Sequence, residues 1–542
     1  MKNKILILLI ASLTLPMISG CSKDWLDLRS VSSVDTDILF ESPKNALMAI
    51  NGMHRRMHHS SGTAAQGGYE TWMIWMEMMG ENLVYTYSNA QWQSQARWSL
   101  HRNIGSSILL YHYRFFYYQI ANANRIIKKV DAMTVPDAEI PLLNEIKGQA
   151  LAYRAFSYHN LVQAWAERYD FAGNNTQPGV ILRDSISYDT RGRSSVEDVY
   201  KLINDDLDEA ILLLGNAKVR NNKSHINLHV AQGLKARVLL TQGKWREAAE
   251  VAKMVVDKSG AKLQDDTYTT TTDRMLDAKN TEFLWCKMRN EEQAGSLTTF
   301  EAFMTNRNAS YNGNTPRAIY NKLYDRISDT DIRKNLWFPK AQDPKSQPRP
   351  VYSSGGGKRM VNYMANKFLM SDPTKLCADV PYMRLPEMML IMAEGYARAG
   401  DTQKAVDALY PLAKHRDPKY TKSTKTGKDL IDEVMFQRSI ELWGEGFRFL
   451  DLKRLNMDLD RGKKVRTELG YSDAPWKAIT PSSTKSTMPK NFDPEASNFN
   501  MYDSGAVIYE DARFVPAGDK RWQFLFPDNE TDLNPEFEQN EL

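Results

Sequence analysis

Apolar residues return every three or four positions over long stretches of this chain, which predicts helices rather than strands. The first stretch opens at Ser42-Pro43, an N-cap followed by proline at the first helical position, and sets Ala46, Ile50 and Met53 on one face. Ile108, Tyr111, Phe115 and Tyr118 predict a helix running to about Asp131. Leu151, Ala155, Tyr158 and Val162 predict another, from about Pro136 to Arg168. Residues 194–257 hold two or three more, opening on Ser194-Ser195 with Glu197 close behind. An internal echo follows: Ala236, Leu239, Gly243 and Ala248 recur as Ala393, Tyr396, Gly400 and Ala405 with unchanged offsets. Small residues at those places let two antiparallel helices approach and a glycine turn the hairpin, which is the tetratricopeptide pattern.

Three stretches lack this period. Residues 60–104 are interrupted by Gly62, Gly67, Gly68 and Gly80 and contain Trp72, Trp75, Trp92 and Trp98, so they read as a long excursion rather than a packed helix. Residues 260–380 hold Thr269–Thr272, Gly313, Pro316, Pro339, Pro344, Pro348, Pro350 and Gly355-Gly356-Gly357, which predicts loops with short strands. Residues 456–542 close the chain in the same loop-rich manner. The expected fold is mostly all-α: a single domain over residues 43–542, with interrupted tetratricopeptide-type helical repeats at about 105–257 and 382–455. Insertions on such frames gather on one face and carry binding, so residues 60–104 and 260–380 are expected to form the ligand face.

The N-terminus reads as an address. Lys2 and Lys4 precede an apolar run, Ile5–Leu15, which ends at Pro16-Met17-Ile18-Ser19-Gly20-Cys21. This is a secretory signal over residues 1–20, too short to span a bilayer. Ser19-Gly20-Cys21 resembles the lipobox of bacterial lipoproteins, although Met17 stands where leucine is usual. The resemblance implies acylation of Cys21, with residues 21–42 as a tether and the membrane reached through the lipid anchor only.

Charge and composition exclude several classes. The formal net charge of +4 falls to +2 without Lys2 and Lys4, and no basic stripe marks a nucleic-acid partner. Three cysteines, Cys21, Cys286 and Cys377, make no disulfide framework, and no Cys/His spacing suggests zinc. No metal or cofactor is expected. His54 and His58 share a helix face among Arg55 and Arg56 and read as a solvated basic helix end. Asp205, Asp206, Asp208 and Glu209 read as a solvated acidic face. There is no GxSxG elbow, HExxH or dinucleotide fingerprint, and Gly355-Gly356-Gly357-Lys358-Arg359 lacks the spacing of a phosphate loop. No catalytic residues are assigned.

The aromatic load, 12 Trp, 25 Tyr and 19 Phe, suits a different chemistry. Sugars present C–H faces that a ring covers, ringed by hydroxyls that amides and guanidinium groups satisfy. Trp72, Trp75, Tyr85, Tyr87, Trp92 and Trp98, interleaved with Asn82, Asn89, Gln91, Gln93 and Arg97, have that composition. The alternative is that most of these rings plug the repeat core, with at least one lining a site.

Motifs along nearly the whole mature chain then carry a resemblance. Trp25-Leu26-Asp27-Leu28 with Ala49-Ile50-Asn51-Gly52-Met53, then Tyr117, Ile120 and Ala123-Asn124, then Tyr153-Arg154-Ala155-Phe156-Ser157-Tyr158 through Trp165 come first. Asp331-Ile332-Arg333, Arg384-Leu385-Pro386-Glu387 with Ala393-Glu394, and Arg438, Glu441-Leu442, Glu445-Gly446, Arg448 and Asp451-Leu452-Lys453-Arg454 follow, and Pro527, Glu530, Asn534-Pro535 and Gln539-Asn540 close the series. In this order they resemble the SusD/RagB family of Bacteroidota surface lipoproteins. Gln437 stands where that family usually has glutamate, Leu455 where tryptophan is common, Leu525 at a proline position, and its usual Asn-x-x-Arg is only partly present through Arg416.

The resemblance implies non-catalytic capture of oligosaccharide or polysaccharide nutrients at the outer-membrane surface and delivery to a partner SusC-like TonB-dependent transporter. It also implies that the signatures are scaffold, with Glu441 and Arg448 holding helices together. The ligand face is then expected to include Trp92, Asn89, Trp98, Arg307, Tyr311 and Trp337. The rival readings are a tetratricopeptide-like scaffold binding only protein partners and, ranked lower, a surface glycosidase.

Overall fold

The computed structural model describes residues 36–59, 65–85, 92–185, 189–217, 222–265, 275–289, 299–305, 317–337, 363–370, 376–461 and 514–542. Its longer helices, in chain order, are α1 (Pro43–Arg56), α2 (Tyr69–Met78), α3 (Ser107–Asp131), α4 (Ile140–Trp165), α5 (Val196–Gly215), α6 (Leu228–Thr241), α7 (Trp245–Lys258), α8 (Leu385–Arg398), α9 (Thr402–Arg416), α10 (Gly427–Glu441) and α11 (Arg448–Arg454). Six short strands, β1 (Leu83–Tyr85), β2 (Phe283–Lys287), β3 (Arg317–Ile319), β4 (Val380–Arg384), β5 (Leu459–Asp460) and β6 (Phe514–Val515), form antiparallel pairs β1–β3, β2–β4 and β5–β6 among the described residues. The mostly helical fold agrees with the periodicity. So do the caps: Ser42 accepts from the Asn45 N–H at 3.2 Å and Ser195 from the Asp198 N–H at 3.0 Å.

The repeated pattern forms two helical hairpins, α6–α7 and α8–α9, turned by Gly243 (φ 71°) and Gly400 (φ 81°). The hairpins meet where α8 packs on α7. A methyl at Gly395 would lie 2.4 Å from the Trp245 carbonyl oxygen, so only glycine permits that approach. Helix α4 lies between α3 and α5 and is buried almost throughout from Glu145 to Trp165.

Three expectations are corrected. The stretch 60–104 contains a packed helix after all: every residue of α2 is buried. Trp72 stacks on Trp165 (5.6 Å, 6°) and donates to Asn160 Oδ1 at 2.9 Å. A helix buried on all sides, its few polar residues Glu70, Thr71 and Glu77 included, has no solvent face to betray it as periodic. Gly68, in the left-handed region at φ 67°, brings its start against the end of α1, where a Cβ would meet the Met57 carbonyl oxygen at 2.3 Å. Second, the α1 end is not a solvated basic terminus. His54 hydrogen-bonds the Tyr153 hydroxyl and meets His225 edge-on at 4.1 Å, and burial lowers its pKa. Third, Asp206 is buried on α5, with Arg154 Nη2 at 2.6 Å, while Asp205, Asp208 and Glu209 pair with Lys201, Lys235 and Lys147.

Three of the family-like signatures, those at Asp331, Arg384 and Glu441, converge on one buried ion cluster. Arg384, ending β4, reaches Glu282 (2.8 Å), Glu441 (3.1 Å) and Glu445 (2.6 Å). Arg416, ending α9, reaches Glu282 (2.5 Å) and Glu441 (3.0 Å). Arg333 reaches Glu441 (3.3 Å) and Asp331 (2.6 Å), and Lys367 reaches Glu445 (2.6 Å) and the carbonyls of Glu441 and Trp443. Four cations thus face four carboxylates, none more than 6% exposed. Gln437 accepts from Arg333 at 2.5 Å, and its neutral amide keeps the count balanced where a glutamate would not. The scaffold reading of Glu441 and Arg448 holds: Arg448 pairs with Glu81.

Burial alone would raise the Glu441 carboxyl, but Arg416, Arg384 and Arg333 outweigh it and hold it well below the usual range. Asp451 is likewise brought to about 2, Arg438 and Arg454 outweighing its burial. Carboxyls depressed in the fold stabilise it above their unfolded pKa of about 4, and lose that contribution as pH falls through the folded value. The urea midpoint should therefore begin to fall below about pH 6.5, where the unfolded chain protonates imidazoles that burial keeps neutral in the fold, such as His54 and His159, and drop steeply below about pH 4. Glu441→Leu should cost about 3–5 kcal/mol at pH 7, because it strands buried guanidinium groups; an unchanged midpoint would contradict the assignment.

Candidate functional site

The two insertions meet at the β1–β3 ribbon. Leu83 pairs with Ile319, Val84 with Ala318 and Tyr85 with Arg317. Antiparallel pairing places the end of β1 beside the start of β3, so segments 86–91 and 306–316 leave from the same end of the ribbon. A third joins them: Ala365 N–H donates to the Arg317 carbonyl at 2.7 Å, and Ala365 also bridges to Trp337, the residue before segment 338–362. Lys287 ties this region to α2, standing 2.9 Å from Glu70 and 3.1 Å from Glu301, and Glu70 accepts from the Phe300 N–H at 3.1 Å.

Asn89, Arg307 and Tyr311 lie in the first two of these segments, outside the described residues, as does Gly355–Arg359. Trp92 closes the first segment. It is 4% exposed and left-handed (φ 79°), with its ring edge-on to Phe303 at 5.3 Å. Trp337 is buried edge-on to Trp443 at 5.6 Å. A seam of rings underlies this end, from Phe300 through Phe368 and Trp443 to Trp337. The indole N–H groups of Trp92 and Trp337 are both buried and have no hydrogen-bond partner among the described residues. In this arrangement Trp92 and Trp337 present no open ring face; what they offer is an N–H beside the loop ends.

Trp98 is corrected from platform to core. It is 3% exposed, donates to the Met79 carbonyl at 2.9 Å, and is enclosed by Trp522 (4.8 Å), His101 (5.5 Å) and Phe449 (5.6 Å). Arg461 secures the same corner by donating to the carbonyls of Met78, Gly80 and Ala96. A residue so placed cannot stack on a sugar without leaving its own hydrogen bond.

A cleft of about 560 Å³, unforeseen from sequence, lies on the other side of Trp522, between α4, α11 and the C-terminal segment. Its lining includes Arg193, Lys453, Asp519, Lys520 and Glu541. Lys453 donates to the carbonyls of Ala164 (3.1 Å) and Ala166 (2.8 Å) at the end of α4, and burial brings its amine down to about 7. Trp522 is 4% exposed and lies nearly parallel to Phe449 (5.5 Å, 28°), so this cleft too lacks an open ring. Cys286 and Cys377 are free thiols, and burial raises both. Among the described residues no three His, Cys, Asp or Glu side chains gather as metal ligands, and no helix is long and apolar enough to cross a membrane.

Comparison with known proteins agrees with this architecture. A family model described as the SusD family matches residues 228–542, and one described as starch-binding associating with outer membrane matches residues 24–240. No curated protein matches the sequence. Among solved structures, a SusD-like carbohydrate binding protein from Bacteroides vulgatus superposes with a TM-score of 0.70 at 20% identity, covering 92% of this chain and 97% of its own. A SusD superfamily protein from Bacteroides thetaiotaomicron gives 0.69 at 19% identity, covering 92% and 100%. One from Parabacteroides distasonis gives 0.65 at 15%, covering 92% and 98%. At these identities the likeness shows a shared fold.

The corrected role of Trp98 has a direct consequence. Trp98→Ala should lower stability by about 3–5 kcal/mol, as loss of a buried indole does, read as a fall in the urea midpoint. A variant as stable as the parent would return Trp98 to the surface.

Proposed function

This chain belongs to the SusD family, and on that premise we propose that it captures oligosaccharide nutrients without catalysis. The ligand site lies at the outer end of the β1–β3 ribbon and is formed by Asn89, Arg307 and Tyr311, with Trp92 and Trp337 of the expected face buried beneath the loop ends. The observation that supports this reading is the register itself, which sets Tyr85 beside Arg317, the residues next in the chain to the segments holding Asn89, Arg307 and Tyr311. The amide, guanidinium and phenol of those residues match hydroxyl-rich ligands, and Tyr311 supplies a ring for an apolar sugar face. The carbohydrate binding stated for the Bacteroides vulgatus protein, and the starch-binding description of the N-terminal family model, support the substrate class.

The same description places relatives at the outer membrane. Acylation at Cys21 accounts for that location: several acyl chains contribute about 0.8 kcal/mol per buried CH₂, enough for stable anchoring. Residues 21–42 act as the tether, residues 43–542 as one body, and a SusC-like TonB-dependent transporter receives the ligand.

A binding screen of the mature protein against plant, microbial and host glycans, with peptides as controls, should return saturable binding to one glycan class. Arg307→Ala and Tyr311→Ala should each weaken it at least tenfold, about 1.4 kcal/mol, with unchanged melting. Recovery of a transporter without any glycan binding would replace this reading with a protein-binding scaffold. Palmitate labelling should be lost in Cys21→Ala, with the protein released from the membrane fraction; retained label would contradict the anchor.

A further inference from the structure

A narrow pocket of about 50 Å³ opens between α2, α4, α6, α8, α10 and α11. Three guanidinium groups line it, those of Arg237, Arg438 and Arg454, against one carboxylate, Asp451. Arg237 is held by Glu387, with Nη2 to Oε2 at 2.7 Å. Arg454 is held by Glu394 at 2.8 Å and Asp451 at 2.9 Å, and Arg398 shares Glu394 at 2.7 Å. Arg438 has less. Its Nε reaches Asp451 Oδ2 at 2.8 Å, and its Cζ lies 5.1 Å over the Phe447 ring. Its Nη1 is buried with no hydrogen-bond partner, although the residue is only 4% exposed.

The wall itself is positive: Arg237, Arg438 and Arg454 line it against the single carboxylate of Asp451, while Glu387 and Glu394 stand behind them and Arg398, which shares Glu394, is partly exposed. The neighbouring cations are already matched, Arg448 by Glu81 and the Arg384 cluster internally. His159, on the pocket wall, adds no charge: it contacts the Thr241 hydroxyl, and burial with the nearby Arg237 lowers it to about 3. Arg237 and Arg438 both lie over the Phe447 ring, their Cζ atoms 5.3 Å and 5.1 Å from its centroid.

We propose that this pocket holds a small monovalent anion bound by Arg438. An anion there gains Coulomb energy from all three guanidinium groups, where a water molecule would accept one N–H and gain little from their charge. The site stands apart from the ribbon end and does not depend on the glycan reading.

Crystals of the mature protein grown in sodium bromide test it. The expected result is an anomalous bromide peak in the pocket within hydrogen-bonding reach of Arg438. In solution, the melting temperature should rise saturably when chloride replaces gluconate at constant ionic strength, and Arg438→Gln should abolish that rise. Absence of a peak in the parent crystals, or a peak with no halide dependence of melting (an adventitious ion only), would overturn the proposal.

Discussion

Glu441 stands where the molecule is tied together. Its carboxylate receives Arg384 from β4, Arg416 from the end of α9 and Arg333 from the middle insertion, and its carbonyl receives Lys367. The partners are scattered from Glu282 to Glu445, so no local segment forms the cluster; the helical frame and the insertion must both be in place. Hydrophobic packing would hold these elements together with little preference for orientation. Planar guanidinium groups meeting carboxylates at several points fix angle as well as distance. The cluster therefore sets where the 331–337 and 363–370 segments sit, and through Trp337 and Ala365 it sets the ribbon from which the loops depart.

The frame was legible because its signals are local. Periodic apolar faces, caps at Ser42 and Ser195, and glycines at the two hairpin turns each report on neighbouring residues. Helix α2 was hidden for the opposite reason. It is buried on all sides, so its sequence shows no alternation, and the glycines before it mark close approach to α1 rather than a loop. His54 and Asp206 were misjudged by the same logic: each sits on a helix whose polar appearance is answered by a partner distant in sequence, Tyr153 and Arg154.

The meeting of the two insertions was legible in outline: insertions on a repeat frame gather on one face, and the β1–β3 register pairs the first insertion with the middle one. Which tryptophans would be open to solvent was not readable, because an indole in a loop-rich stretch serves equally as platform or as plug. Trp98 is a plug: its N–H is taken by Met79 and its faces by Trp522 and Phe449. The clefts at Lys453 and at Arg438 had no sequence signal, since each is made by residues that meet only in three dimensions.

An ion-locked frame holds β1 beside β3, at whose end we propose the ligand binds. Hydrogen–deuterium exchange of the mature protein, with and without a glycan that it binds, tests this most directly. Slowed exchange is expected in peptides spanning 83–98 and 303–319, with the 516–523 peptides unchanged. Protection confined to the C-terminal cleft around Lys453 and Trp522 would contradict it.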